Sequence, residues 1–110
     1  MKRLLWWLLA GTAGGWNRAR IIMLLRDQPY NAHQISKELD LDYKTVRHHL
    51  KVLEENYVVE VHGRKKYGAI YFLSDKMEEQ YDLFLKIWER IGNNKLKFET
   101  YNGDTNENSD

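Results

Sequence analysis

NAHQISKELDLDYKTVRHHLKVLEE, residues 31–55, holds two apolar patterns of helical period separated by a short break. Ala32, Ile35 and Leu39 recur at steps of three and four, which places them on one face of a helix over residues 32–39. Asn31 stands just before, where an Asx side chain can cap the first free N–H groups. Asp40-Leu41 interrupts the pattern, and Asp42 then caps a second helix, residues 43–55, with Val46, Leu50 and Leu53 turned inward. Ala32, Ile35, Leu39, Leu41, Val46 and Leu50 can make the small core between the two helices. The outer face of the second carries Tyr43, Lys44, Arg47, His48 and Lys51, with Thr45 near its N-terminus. His49, three residues after Val46, faces inward or sits at the rim.

After this pair the period changes. Tyr57, Val58, Val59 and Val61, then Ala69 to Leu73, are rich in strand formers. Between them Gly63 and Gly68 bracket Arg64, Lys65, Lys66 and Tyr67, which predicts a β-hairpin with a positive tip at residues 62–68. Ser74 caps a long helix over 75–92, ended by Gly92-Asn93-Asn94. Upstream, residues 16–26 predict a helix with Ile21, Ile22, Leu24 and Leu25 on its apolar face and Arg18, Arg20 and Arg26 opposite. Asp27-Gln28-Pro29 ends it, because proline disfavours helix at the residue before it. Residues 4–10, LLWWLLA, form an apolar run after Lys2 and Arg3. This run is far short of the roughly 20 apolar residues of a membrane span. Its order also resembles that of a signal peptide at the short limit; a packed apolar helix broken by Gly11, Gly14 and Gly15 fits it better.

The expected organisation is therefore an apolar helix and linker (1–15), a central domain (16–73), a C-terminal helix (74–92) and a polar tail (93–110) with disorder in its last part. The chain has 110 residues, 14 of them aromatic, enough for one modest core. Net charge is +1, but residues 1–73 hold twelve Lys/Arg against seven Asp/Glu, and residues 74–110 five against nine. A basic front and an acidic back suit nucleic acid at one face. The absence of cysteine excludes disulfides, thiolate metal sites and cysteine nucleophiles, and suits a cytoplasmic protein. His48 and His49 are helix neighbours that cannot chelate one ion from one chain. His33 and His62 lie elsewhere, and no HExxH, phosphate loop or GxSxG motif occurs. Neither catalysis, a metal nor a cofactor is expected.

Helices followed by a basic hairpin and a long helix make a mainly α fold with a small β-hairpin, a winged helix-turn-helix (α+β) with long N- and C-terminal helices. Residues 17–73 resemble the ArsR-type winged helix-turn-helix transcriptional regulators. The likeness is carried by NRARIIMLL at 17–25 and YKTVRHHLKVLEENYVV at 43–59, most of all by the His-Leu-x-x-Leu step at His49, Leu50 and Leu53. LDYKTVRHHL at 41–50 and WWLLAGT at 6–12 are similar to archaeal members. The resemblance implies binding of double-stranded DNA as a homodimer. Tyr43, Lys44, Thr45, Arg47, His48 and Lys51 would face the major groove, and Arg64, Lys65 and Lys66 the backbone or minor groove. Two departures stand out: Asp40 occupies a turn position where glycine is frequent, and the cysteines of metal-sensing members are missing.

Met77, Tyr81, Phe84, Trp88 and Ile91 step by four and three, a heptad seam. With Leu4, Leu5 and Leu8 they make the expected dimer interface, and a two-fold dimer predicts an inverted-repeat operator. The alternative in another class is a winged-helix protein-interaction module whose basic face is incidental. Effector, operator and sign of regulation have no signature in the sequence.

Overall fold

Side-chain caps fix the starts of the helices that follow Asn31, Asp42 and Ser74. The computed structural model describes residues 1–63 and 68–92. Its elements run α1 (Lys2–Leu9), α2 (Gly15–Asp27), β1 (Tyr30–Asn31), α3 (Ala32–Leu39), α4 (Tyr43–Glu55), β2 (Val59–His62), β3 (Ile70–Leu73), α5 (Asp75–Glu79) and a last helix, α6, over residues 81–92. At α3 the Asn31 side chain accepts from the Gln34 N–H and the Gln34 side chain accepts from the Asn31 N–H, both at 2.8 Å, a full capping box. At α4 the Asp42 carboxylate accepts from the N–H groups of Lys44 (3.0 Å) and Thr45 (3.3 Å). Both helices occupy the ranges their patterns predict.

Their C-terminal ends use one device twice. Asp40 adopts φ 52°, ψ 51°, and the Leu41 N–H donates to Ser36 O at 3.0 Å. Asp tolerates this left-handed backbone better than most residues. At the end of α4 the Val58 N–H donates to Leu53 O (2.9 Å) and the Tyr57 N–H to Glu54 O (3.0 Å), the Schellman pattern. Tyr57 then takes φ 61°. The sequence expectation placed Tyr57 in a strand; it is the left-handed closing residue of α4, and pairing begins at Val59.

The sheet has three antiparallel strands in the order β1-β3-β2. Val59 lies opposite Leu73 and His62 opposite Ile70, while Tyr30 pairs with Tyr71. The hairpin was expected. β1 was not, because two residues after Pro29 are too few to show a period. Residues 64–67 and 93–110, with the expected wing tip and tail, lie outside the described residues.

One core runs through the whole fold, from Leu5, Leu8 and Leu9 of α1 to Phe84 and Ile87 of α6, by way of Ile21, Ile22, Ile35, Val46, Leu50 and Leu53. This corrects part of the expected dimer surface. Leu5, Leu8, Met77 and Phe84 are fully enclosed by their own chain: α1 packs on α2, Glu78 of α5 pairs with Arg26 of α2, and Trp88 of α6 stacks on Trp16 of α2. The expected helix over 75–92 is also broken. Gln80 leaves helical geometry at φ −98°, ψ 12° and its N–H is shared between Lys76 O and Met77 O, both at 3.1 Å. The Ser74 hydroxyl starts α5 by accepting from the Met77 N–H at 3.0 Å, as expected. α1 has only eight residues. Arg18, expected on the polar face of α2, is 4% exposed.

Candidate nucleic-acid interface

α4 is seated by its inner face and leaves its outer face free. Val46, Leu50 and Leu53 are fully buried, whereas Lys44, Arg47, His48 and Lys51 are exposed and Thr45 is half-buried. Tyr43, 38% exposed, stacks on the His33 ring of α3 with centroids 4.2 Å apart. Arg47 and Lys51 flank an open cleft between α4 and the sheet, also lined by His48, Glu54, Glu55, Tyr57 and Tyr71. Across it Arg47 Nη1 reaches the Tyr71 hydroxyl at 3.5 Å, which leans the guanidinium toward the hairpin. Lys51 Nζ lies 4.0 Å from Glu55 Oε1; both are exposed, so the pair is worth little. The positive charge is therefore concentrated in the N-terminal three turns of α4, and carboxylates close the far end of the cleft. The Asp42 carboxylate already accepts from two of the N-terminal N–H groups, those of Lys44 and Thr45.

Behind α4 lies a polar seat. Arg18 Nε donates to Leu8 O (2.9 Å), Nη1 to His49 Nδ1 (3.2 Å) and Nη2 to Ala13 O (3.3 Å) and the Thr12 hydroxyl. All four partners are neutral acceptors. A guanidinium can only donate, so His49 Nδ1 is unprotonated and the ring is held neutral with its proton on Nε2. Burial first, then the charge of Arg18, then that of His48, push the His49 pKa below its ordinary value. Burial likewise lowers that of Arg18. Gly14 makes the contact possible: it takes φ 87°, and a Cβ there would fall 2.6 Å from His49 Cε1. Thus the α1–α2 turn is clamped to the underside of the helix that carries the cations.

The sequence reading named Tyr43, Lys44, Thr45, Arg47, His48 and Lys51; all lie on α4, five of them exposed and Thr45 half-buried. Arg64, Lys65 and Lys66 lie outside the described residues. Of the residues named for a dimer, Leu4, Tyr81, Trp88 and Ile91 are half-buried, while Leu5, Leu8, Met77 and Phe84 are core. Trp7 of α1 is 54% exposed and Leu85 of α6 is 40% exposed. Sequence reasoning missed the Arg18–His49 seat, the His33–Tyr43 stack and Tyr71. His49 carried a partial signal in its inward position; nothing local marked Arg18, whose partners come from α1, the following turn and α4. Among the described residues, no cluster of three or more His, Asp or Glu is placed to hold a metal ion, and no helix is long and apolar enough to cross a membrane.

Residues 17–61 match the family model described as bacterial regulatory protein, arsR family. The chain is similar in fold to the transcriptional regulator homologue protein of Pyrococcus horikoshii OT3, at 24% identity over 86% of this chain and 97% of that one, with TM-score 0.62. It is similar to the adhesin competence repressor AdcR of Streptococcus pyogenes at 14% identity and TM-score 0.55, covering 76% of this chain and 64% of that one. It is also similar to wild-type ZitR of Lactococcus lactis in complex with DNA, at 18% identity and TM-score 0.50, covering 82% of this chain and 72% of that one. These likenesses are of fold. No curated protein matches the sequence significantly.

Proposed function

We propose, from the match of residues 17–61 to the arsR-family model, that this chain is a sequence-specific regulator of transcription that binds double-stranded DNA as a homodimer. The observation that carries this reading is the outer face of α4: Lys44, Arg47, His48 and Lys51 exposed on a helix whose inner face is locked by a full apolar core. The family match and the fold likeness to a regulator bound to DNA support it. In this reading α4 lies in the major groove. Arg47 and Lys44 read base edges, and Tyr43 and His48 support them. Thr45, Lys51 and the basic residues Arg64, Lys65 and Lys66 meet phosphates.

A homodimer is supported by the apolar surface left on α1 and α6, where Trp7 and Leu85 are exposed and Leu4, Trp88 and Ile91 half-covered. Dimers of this kind read half-sites about 34 Å apart, one helical turn of DNA, which matches an inverted repeat. The test is Arg47→Ala measured on a specific and on a random duplex. A loss of about 1–3 kcal/mol confined to the specific duplex is expected. Equal losses on both would remove the base-reading role. Lys65→Ala should instead weaken both duplexes alike and lower the salt slope by about one.

A further inference from the structure

His33 and Tyr43 bring two rings together at the N-terminal ends of the paired helices. His33 sits in the first turn of α3 and Tyr43 is the first residue of α4; their rings stack with centroids 4.2 Å apart and planes 19° from parallel. Burial does not hold them there. His33 is exposed and Tyr43 keeps over a third of its surface. A half-open side chain in the first turn of a helix samples more than one rotamer. A plate against one ring face removes that freedom. Ordering a side chain before binding lowers the entropy that association must otherwise lose, and a recognition side chain works best when its rotamer is fixed by neighbours.

Resting on the DNA-binding reading above, we propose that His33 is a positioning residue for base recognition: its imidazole, stacked on the Tyr43 ring, holds that ring in one orientation at the leading end of α4. The two helices then share the task. α3 supplies the brace, and on α4 Tyr43, beyond supporting Arg47 and Lys44, brings its ring edge and hydroxyl to a base edge, where a thymine methyl suits the ring and an amino or carbonyl group suits the hydroxyl. The other role open to an exposed histidine here is direct contact with a phosphate. Phosphate contacts carry no sequence information, so that role changes affinity for all duplexes together. Positioning changes affinity only where Tyr43 reads.

The experiment uses the full chain and two labelled duplexes of about 30 base pairs, one selected by the wild-type protein from random sequence and one scrambled. Binding is compared for wild type, His33→Ala, His33→Phe, Tyr43→Ala and the His33→Ala/Tyr43→Ala pair, with thermal melts to confirm equal folding. An aromatic pair of this kind predicts that His33→Ala weakens the selected duplex about three- to tenfold and leaves the scrambled one unchanged. His33→Phe keeps a flat ring and restores binding. The double variant loses no more than Tyr43→Ala alone, since each single change removes the same contact. The proposal is overturned by a silent His33→Ala, by no recovery in His33→Phe, or by losses that multiply in the double variant. A wild type that binds both duplexes equally would overturn the base-reading itself. A wild type that discriminates, with His33→Ala indistinguishable from it, overturns only the role of His33.

Discussion

Replacing Arg18 with methionine tests whether the seat beneath α4 holds the fold together. Methionine keeps most of the length and loses every donor. Two effects oppose each other. Removing a cation that is 4% exposed relieves the desolvation it suffers in the folded chain. Against this, four acceptors lose a charge-assisted partner. They are not equally affected. Leu8 O still accepts from the Thr12 hydroxyl at 3.3 Å, and Ala13 is exposed, so its carbonyl can turn to water. His49 Nδ1 is the one left behind, on a residue 5% exposed. An orphaned buried acceptor costs about 1–3 kcal/mol. With the lost ties to the α1–α2 turn, the net destabilisation should be about 2–4 kcal/mol, a large share of the roughly 5–15 kcal/mol of an ordinary domain. Urea denaturation reads it as a lower midpoint at an unchanged slope. Arg18→Met/His49→Leu removes donor and acceptor together, so the pair should lose less than the sum of the two single variants. A midpoint for Arg18→Met equivalent to less than about 1 kcal/mol, with additive singles, would refute the reasoning.

The same seat gives a pH dependence of fixed sign. The folded His49 pKa lies below its ordinary value, so the unfolded chain binds the proton more readily. His49 therefore contributes stability fully present above about pH 6.5 and lost as pH falls through the folded pKa. Urea midpoints followed downward from pH 7.5 should fall in the wild type and fall less in His49→Gln, whose side-chain oxygen still accepts from Arg18; equal slopes would contradict this. Tyr57→Gly relieves a left-handed residue whose ring is 78% exposed and gains little from packing. It should raise stability by about 0.5–1 kcal/mol in urea denaturation, and a loss would show that the ring packs usefully. Gly15→Ala places a Cβ 1.9 Å from Leu9 O, a clash only a shift of α1 can relieve. It should cost about 2–3 kcal/mol, again read in urea, and a neutral outcome would mean α1 adjusts freely.

The parts of this fold legible in the sequence are those decided within a few residues. Asn31 and Asp42 marked helix starts because their side chains bond N–H groups two or three residues on. Val46, Leu50 and Leu53 marked the buried face of α4 by spacing alone. The cationic residues of the candidate interface followed from the same arithmetic, as the face that was left over. What stayed hidden depends on partners far along the chain. Arg18 reads as a surface cation until Leu8, Ala13 and His49 are brought around it. The heptad-like steps of Met77, Tyr81 and Phe84 suggested a partner chain, yet Met77 and Phe84 are buried in the chain's own core and the helix they were expected to share is broken at Gln80. Neither glycine nor proline marks that break, so no local signal announced it.

The most direct test of the account is selection of DNA fragments from random sequence by the purified protein, followed by titration of the best fragment across salt. The account predicts an inverted repeat with half-sites about one helical turn apart, bound far more tightly than random DNA and with a steep salt slope. Weak binding without enrichment would contradict it and would point to a protein-interaction module, with the open apolar surface around Trp7 as the place where a partner docks.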